Sequence, residues 1–336
     1  MKKVRLTDIA REAQVGSATV ERVLNARGNV SPAMVDKVIQ AARRLGYKPP
    51  LPDRYHGVLR IEVIMVRRET PFFARLANAF QRISESLDPC IQIHRTFADE
   101  SDPLSVARRI AHPGFRRMGL IIVAPDHPQV RARLREARDA GEVVVQIVSR
   151  IGDQDDLFVG IDNYAAGRTA AQLMSRMSVS REGRFVGLCH SGAYHVHRER
   201  IRGFSEYMAA NGLAQHLFSR VLFGLDQDLR SGELLNDALE DDPRIIGVYN
   251  AGGANEGVAA ALERNARRES IMWIGHELTD ATRGWLRSGL MDVVLDQAPE
   301  AQARRSIDTL LNKLGFINAE VSAEPIRFYT ITSENA

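Results

Sequence analysis

Hydrogen-bonding side chains and one pair of aromatic rings follow short apolar segments along most of the chain. These positions are Thr70–Phe73, Asp126, Ser149, Arg150, Asn250–Asn255, His276, Glu277, Asp296 and Gln297. Amides, carboxyls and guanidinium groups hold ligand hydroxyls through hydrogen bonds, and an aromatic ring packs against the C–H face of a sugar. The composition therefore suits a polyhydroxylated ligand.

The apolar segments that precede these side chains read as strands alternating with amphipathic helices. Predicted strands cover 58–66, 90–96, 119–124, 143–148, 157–161, 184–189, 218–223, 245–249, 271–275 and 291–295. Predicted helices cover 72–87, 103–111, 128–140, 164–176, 197–211, 229–240, 254–266, 279–288 and 299–314. Strands rich in Val, Ile and Leu between helices indicate parallel sheets, and ten of them favour two α/β lobes. Ligands bind beyond the carboxyl ends of such strands, so these side chains would line a shared cleft.

The first 47 residues have the pattern of three short helices. The apolar positions of the first two helices are Leu6, Ile9, Ala10, Ala13, Val20, Val23 and Leu24. A tight connection through Gly16 joins them, as in a helix-turn-helix. A third helix begins at Pro32 with Ser31 as its N-cap, and Gly46 ends it. Three helices of this length are enough to place one of them in a DNA major groove.

The charge distribution favours the same interpretation. Residues 1–60 hold twelve Lys and Arg against five Asp and Glu, a net charge of +7, whereas the whole chain has +3. The rest of the chain is therefore mildly acidic. A basic N-terminal domain on an acidic body is typical of a protein that binds a polyanion such as DNA.

Length and composition narrow the remaining possibilities. A chain of 336 residues exceeds one typical domain, so two or three are expected. No signal sequence and no membrane-span-length apolar run is recognisable, so a cytoplasmic protein is expected. Cys90 and Cys189 lack metal-ligand spacing, so we expect reduced thiols and no metal. No dinucleotide, Walker, GxSxG or HExxH motif is found, so we expect no cofactor and no enzyme.

The N-terminal motifs closely resemble those of the lactose-repressor/galactose-repressor (LacI/GalR) family. They are Asp8-Ile9-Ala10, Ala18-Thr19-Val20-Glu21-Arg22-Val23-Leu24-Asn25 and Leu45-Gly46-Tyr47. Similar motifs in the body are Thr70-Pro71-Phe72-Phe73, Gly160-Ile161-Asp162-Asn163, Arg200-Ile201-Arg202-Gly203-Phe204, Ile274-Gly275 and Asp296-Gln297. The resemblance covers essentially the whole chain. It implies a small all-α helix-turn-helix head joined to a two-lobed α/β domain with parallel sheets, like the type I periplasmic sugar-binding proteins.

For the head, the resemblance implies a dimeric transcription regulator, a repressor, bound to a near-palindromic operator. Ser17, Ala18 and Arg22 match the base-facing positions, and an arginine fork pairs with guanine. The alternative for Arg22 is a phosphate contact. Thr19 and Asn25 match contacts to the DNA backbone, or are plain surface residues.

For the body, the resemblance implies a cleft that binds a sugar, a polyol or a sugar acid. The matching residues are Phe72, Phe73, Ser149, Arg150, Arg200, Asn250, Glu277 and Gln297. Arg150, Arg200 and His276 would together favour an acidic sugar. Arginines paired with Glu277 and Asp296 would instead suit a neutral one, and this is the interpretation we favour.

Three features depart from the family pattern or need a separate interpretation. Arg5 and Gly16 stand where relatives carry capping Thr and Ser. Residues 49–57 contain three prolines around Leu51 in place of a hinge helix, which favours an extended arm. The histidines at 190, 195 and 197 lie in a Gly- and Ser-containing context, which predicts an exposed loop and not a metal site.

The expected organisation is a DNA-binding domain at 1–48, a Pro-rich linker at 49–57 and an effector-binding domain at 58–336. Lobe one of the effector domain would take 58–162 and 297–322, and lobe two 163–296 and 323–336. The alternative function is a sugar-binding module without DNA binding, and the basic head argues against it.

Overall fold

Two sheets, with helices packed against them, hold most of the buried apolar residues. A computed structural model of the chain describes residues 4–25, 30, 32–47, 59–152, 157–192, 194–211, 216–317 and 320–336. These ranges contain twelve α-helices, eleven strands and one short 3-10 helix, Arg268–Ser270. No helix within them combines the length and apolar composition needed to cross a membrane.

The first sheet has five parallel strands in the order β2-β1-β3-β4-β5. They are β1 (Leu59–Val66), β2 (Ile91–Ala98), β3 (Gly119–Ile122), β4 (Val143–Ile147) and β5 (Leu157–Val159). The helices between them are α4 (Pro71–Ser86), α5 (Pro103–Ala111) and α6 (Pro128–Asp139). Each begins with proline, whose missing N–H would have had no partner in the first turn of a helix. Because all five strands are parallel, their carboxyl ends lie at one edge of the sheet.

The second sheet has six strands in the order β11-β10-β9-β8-β6-β7. They are β6 (Gly183–Cys189), β7 (His216–Phe223), β8 (Ile245–Asn250), β9 (Met272–His276), β10 (Val293–Asp296) and β11 (Tyr329–Ile331). Its helices are α7 (Asn163–Met177), α8 (His195–Asn211), α9 (Asp228–Asp241), α10 (Asn255–Arg264) and α11 (Asp280–Ser288). All its strands are parallel except β11, which pairs antiparallel with β10. The predicted parallel sheets are present, and β11 is one antiparallel edge strand that the sequence did not predict, because its three mostly exposed residues carry no apolar pattern.

Three crossing segments join the two sheets, one after β5, one after β10 and one before β11. Helix α12 (Pro299–Lys313) follows β10 of the second sheet but packs on the first, where Leu310 lies against Gly119. Two of the crossings meet where Ile161 and Ile326 form an isolated parallel bridge. A few adjacent crossing strands between two lobes are typical of domains that open and close about a hinge.

The N-terminal helices are α1 (Leu6–Ala13), α2 (Ser17–Leu24) and α3 (Pro32–Arg44). Their core consists of Ile9, Ala10, Ala13, Val20, Val23, Val38, Ile39, Ala41 and Ala42. The Arg5 side chain offers no acceptor for capping α1, but the Asp8 carboxylate accepts a hydrogen bond from the Arg5 backbone N–H at 3.0 Å. Gly46 follows α3 in the left-handed region, with φ of +68°. The predicted cap Ser31 and linker 49–57 lie outside the described residues.

Every strand and helix that the apolar pattern predicts beyond residue 57 is present. Each of their ends falls within two residues of the predicted position. The agreement has a local cause, since strand periodicity, prolines at helix starts and glycines at helix ends are all properties of neighbouring residues.

Candidate functional site

The second helix, α2, presents the predicted DNA-facing residues to solvent. Ser17, Ala18, Arg22 and Asn25 are exposed and Thr19 is half-buried. The opposite side of the helix packs into the head through two buried valines, at positions 20 and 23. The hydrophobic core thus orients α2 so that its polar side faces outward. This is the geometry that a recognition helix needs in order to enter a major groove.

A cleft lies where the carboxyl ends of the two sheets meet, and an arginine spans it. Arg67 follows β1 of the first sheet, and its side chain forms an ion pair with Asp226, which follows β7 of the second. The Arg67 guanidinium carbon lies 5.3 Å from the ring centroid of Phe73 and 5.2 Å from that of Tyr194. The same guanidinium lies 3.1 Å from the Glu100 carboxylate. Arg67 of the first lobe thus interacts with Phe73 and Glu100 of its own lobe and with Tyr194 and Asp226 of the second.

A histidine cluster continues this contact, and it corrects the prediction of an exposed loop. His190 Nε2 lies 3.2 Å from Glu100 Oε1, and Tyr194 donates its hydroxyl proton to the same carboxylate. The rings of His190 and His197 stack 5.9 Å apart, and both residues are buried. Burial lowers the pKa of His197 to about 3, so this ring is neutral at physiological pH. The flanking small residues suggested a loop. The sequence does not show that His190 contacts Glu100, which is 90 residues away.

Three of the predicted effector residues carry buried polar atoms without partners among the described residues. Arg200 is 2% exposed and donates from Nε to Asn163 Oδ1 at 2.9 Å and from Nη1 to the Ala251 carbonyl at 2.8 Å. Its Nη2 is buried and has no hydrogen-bond partner among the described residues. The same holds for Glu277 Oε2 and Gln297 Oε1. Buried polar atoms in native structures are nearly always hydrogen-bonded, so these atoms indicate a place where a ligand binds.

The acid of this group is held in its protonated form. Burial, with the charge of Asp296 nearby, raises the pKa of Glu277 to about 8. Glu277 Oε1 accepts a hydrogen bond from the Gln297 amide, which leaves the protonated Oε2 as a donor. Its backbone is also in the left-handed region, with φ of +74°. The site therefore offers donors from Arg200 and Glu277 and an acceptor from Gln297.

Close packing of two helices positions Arg200. A Cβ added at Gly203 would lie 2.1 Å from the Tyr164 carbonyl oxygen, and one at Gly167 would lie 2.0 Å from the Arg200 carbonyl oxygen. Helices α7 and α8 can therefore approach only because both positions are glycine. Their approach brings Asn163 on α7 within hydrogen-bonding distance of Arg200 on α8.

The other predicted effector residues already have partners in the protein. Ser149 Oγ accepts a hydrogen bond from the Val196 N–H across the cleft at 3.3 Å. The Asn250 amide donates to the Gly253 carbonyl at 2.6 Å and to Asn255 Oδ1 at 2.9 Å, so it orders the turn before α10.

The predicted aromatic and basic residues of the first lobe pack against other side chains of the protein. Phe72 and Phe73 are buried with their rings edge to face, 5.1 Å apart, and the guanidinium of Arg67 lies over one of them. Arg150 packs over the ring of Phe158 at 4.3 Å. An arginine thus already covers the ring of Phe73.

Two expectations about cleft charge are corrected. His276 is fully buried and shares a hydrogen bond with the Tyr249 hydroxyl at 3.0 Å, and burial keeps its pKa well below the usual range. It therefore adds no positive charge. Asp296 pairs with Arg75 of α4 at 2.6 Å, and not with Arg150 or Arg200.

The sequence interpretation missed Arg67, Glu100, Tyr194, His197 and Asp226. A stricter use of the strand-end rule would have found two of them, because Arg67 directly follows β1 and Asp226 closely follows β7.

Unusual backbone conformations also collect at the carboxyl ends of the strands. The non-glycine residues with positive φ there are Arg67, Val148, Leu225, Asp226, Ala254, Glu277 and Ala298, and within the described ranges only Gln14 lies elsewhere. Such costly conformations collect at ligand sites and switch regions.

Two family models match the chain in the order that these observations suggest. The model for bacterial regulatory proteins of the lacI family matches residues 5–50, and the model for a periplasmic binding protein domain matches residues 61–316. The second match alone spans well over half of the chain and includes both sheets and the cleft.

Individual relatives agree with both models. The chain is 26% identical to a sucrose operon repressor of Pediococcus pentosaceus over 64% of each chain, and 38% identical to the transcriptional regulator MalR of Streptomyces coelicolor over 54% of each. It thus spans less than two thirds of the length of these relatives. A solute-binding protein of Burkholderia graminis, solved with D-arabinose, superposes with a TM-score of 0.75 at 16% identity, covering 83% of this chain and 96% of that one. The chain therefore belongs to the LacI/GalR family, in which a lacI-type helix-turn-helix precedes a periplasmic-binding-protein domain.

Proposed function

We propose that this protein is a sequence-specific transcription regulator, a repressor, whose binding to operator DNA is controlled by a small polyhydroxylated effector. The observation that carries the effector half of the proposal is that Arg200 Nη2, Glu277 Oε2 and Gln297 Oε1 are all buried and without partners among the described residues. Gln297 is hydrogen-bonded to Glu277, and the charge of Arg200 acts on the same carboxyl. The lacI-type head carries the DNA half. Relatives named as sugar-operon repressors support the combination.

The donor set favours a neutral sugar or polyol over a sugar acid. A protonated Glu277 donates to a hydroxyl oxygen, and Gln297 accepts the proton of a neighbouring hydroxyl. Arg200 is the one charged donor of the three, and its other bonds go to neutral oxygens. Phe72, Phe73, Ser149, Arg150 and Asn250 would shape the surrounding wall.

The same proposal assigns the DNA contacts. Arg22 would read a guanine by its fork, with Ser17 and Ala18 beside it, while Thr19 and Asn25 would contact the backbone. The domain limits that fit this division are 1–48, 49–57 and 58–336, with lobe one at 58–162 and 297–322. Lobe two would then take 163–296 and 323–336. A DNA-bound regulator acts in the cytoplasm of a bacterium.

A second copy of the chain would complete the regulator. Near edge strand β7, Phe223 is 50% exposed and Leu229 is 77% exposed, an arrangement that favours burial against a partner. A homodimer would present two heads to the two halves of a near-palindromic operator. Closure of the cleft would change the spacing of the heads and thereby the affinity for DNA.

Selection of binding sites from random duplex DNA tests the proposal, with and without a pool of neutral sugars, polyols and sugar acids. We expect a near-palindromic sequence to be enriched and one pool member to abolish its recovery. Enrichment only with a pool member would make the effector a co-repressor. Absence of enrichment under all conditions would contradict DNA regulation and leave a sugar-binding module.

The cleft has its own test, which uses the effector identified in that selection. Arg200→Lys keeps the charge but loses the fork, so we expect effector affinity to fall by about 10- to 100-fold. Arg202→Lys is the matched control, because Arg202 lies on the same helix and is 54% exposed. Equal affinities in the two variants would refute the assigned role of Arg200.

A further inference from the structure

Helix α8 presents a second buried polar atom beside the one on Arg200. His197 is 5% exposed, and its Nδ1 is buried and has no hydrogen-bond partner among the residues that the structure describes. Residues three apart on an α-helix are neighbours on its surface, so His197 and Arg200 belong to one face of α8. The same turn of the helix meets the first lobe, where the Val196 N–H donates to Ser149 Oγ at 3.3 Å.

The charges that act on His197 place its ring close to the effector residues and to the ion pair across the cleft. Burial lowers the pKa of His197 most, Asp226 opposes this effect, and the charges of Arg200 and Arg67 lower the pKa further. Because such charge effects need short distances, the ring lies near the guanidinium of Arg200 as well as near Arg67 and Asp226.

Aromatic packing fixes the His197 ring without using its buried nitrogen. The ring stacks on His190 with centroids 5.9 Å apart and meets the ring of Tyr194 edge to face at 5.8 Å. Tyr194 is itself held by its hydrogen bond to Glu100. The orientation of Nδ1 is therefore set in advance by neighbouring rings. A buried polar atom without a partner costs free energy, so the arrangement indicates a partner that arrives from outside the protein.

We propose that His197 is a further specificity-determining residue of the effector site, where its Nδ1 forms a hydrogen bond with one hydroxyl group of the bound sugar or polyol. The inference rests on the proposed function and extends the effector site along α8 from Arg200. A neutral imidazole donates or accepts at Nδ1 according to its tautomer, and a hydroxyl group can meet either need. A carboxylate only accepts and an ammonium only donates. His197 therefore favours a neutral hydroxyl at this position.

Two variants separate the role of the ring from that of its nitrogen. His197→Phe keeps the aromatic packing and loses Nδ1, whereas His197→Asn loses the ring and keeps a polar atom near the position of Nδ1. Because Nδ1 has no protein partner to lose, we expect His197→Phe without ligand to melt at a higher temperature than His197→Asn. For effector binding we expect the reverse order, with affinity about tenfold weaker in His197→Phe and within about threefold of the parent in His197→Asn. The same order in both measurements would show a structural residue and overturn the proposal.

Calorimetric titration of the full chain provides the affinities. The compounds are D-ribose, D-arabinose, D-glucose, D-galactose and D-sorbitol, titrated singly, and the one that binds most tightly serves as the probe. His195→Phe is the matched control, because His195 lies on the same helix with its side chain 34% exposed, and we expect parental affinity from it. Parental affinity in His197→Phe would overturn this inference alone. A parent protein that binds none of the five compounds would contradict the proposed neutral effector, and the inference with it.

Deoxy derivatives of the probe identify the hydroxyl group that His197 holds. One derivative should bind the parent protein and His197→Phe equally, because the hydroxyl group that the variant can no longer hold is absent from it. The other derivatives should keep the difference of about tenfold. A difference that persists with every derivative would assign the effect to packing and overturn the hydrogen bond.

Discussion

Arg67 and Asp226 form a buried ion pair that joins the first sheet to the second across the cleft. The two side chains are 12% and 6% exposed. Burial alone would raise the pKa of Asp226, but the charge of Arg67 lowers it overall, so the carboxylate stays ionised. The pair therefore contributes to holding the lobes together, at the edge where an effector would enter.

We expect Asp226→Asn to destabilise the protein and to loosen the lobes. The change replaces one of the two carboxylates around Arg67 by a neutral amide, while Glu100 remains 3.1 Å away. The cost should therefore lie below the roughly 3 kcal/mol of a buried charge left without any partner. Denaturant unfolding measures the loss, and small-angle scattering without ligand should show a larger radius of gyration. Asp308→Asn, which removes an i,i+4 surface partner of Arg304, should change stability by less than about 0.5 kcal/mol. An unchanged radius of gyration in Asp226→Asn would contradict the role of the pair in closure.

The protonated state of Glu277 should make stability depend on pH. Its pKa rises from an ordinary 4.5 to about 8 in the folded protein, so folding takes up a proton between those values. Stability from this group is therefore fully present below pH 4.5 and is lost as pH rises through 8. Glu277→Gln stays neutral, so its advantage over the parent protein should grow with pH in that window. Unfolding free energies at several pH values provide the comparison, with exposed Glu263→Gln as control. Parallel profiles for the parent and Glu277→Gln would exclude a buried neutral acid.

Arg22 should govern sequence discrimination by the head. Arg22→Lys keeps the positive charge but not the fork, so nonspecific DNA affinity should be nearly unchanged. Specific affinity should fall by about 1–3 kcal/mol, with relaxed discrimination at one base pair of each half-site. Competition binding between the selected operator and its single-base variants measures both quantities. Full discrimination by the lysine variant would instead assign Arg22 to a phosphate.

The glycine contact between α7 and α8 predicts a packing effect that reaches the cleft. In Gly203→Ala the new methyl group meets the Tyr164 carbonyl oxygen, which should destabilise the fold by about 1–3 kcal/mol and displace Arg200. Effector affinity should fall with it. Gly284→Ala is the control, because a Cβ there meets no atom within 4 Å and alanine favours the helix by about 1 kcal/mol. Unchanged effector affinity in Gly203→Ala would separate Arg200 from this helix contact.

The amino-acid sequence by itself determined the order of the domains, the family and all the strands beyond residue 57 except β11. Apolar periodicity, the prolines at the starts of α4, α5, α6 and α12, and Gly46 after α3 act within a few residues of their own position. Such local signals can be interpreted from the sequence without knowledge of the fold. The strand-end rule and the family resemblance together predicted Arg200, Glu277 and Gln297 as effector contacts, and each has a buried polar atom without a partner among the described residues.

Only the tertiary structure decided which polar atoms remain available for a ligand. Arg67 pairs with Asp226, which is 159 residues away in the sequence. The histidines at 190 and 197 are buried, and their neighbours in the sequence do not indicate this burial. Ser149 and Asn250 match the family pattern, yet both have hydrogen-bond partners within the protein. The physical reason is that burial and hydrogen-bond satisfaction depend on the packing of segments distant in sequence, whereas helix and strand formation depend largely on near neighbours.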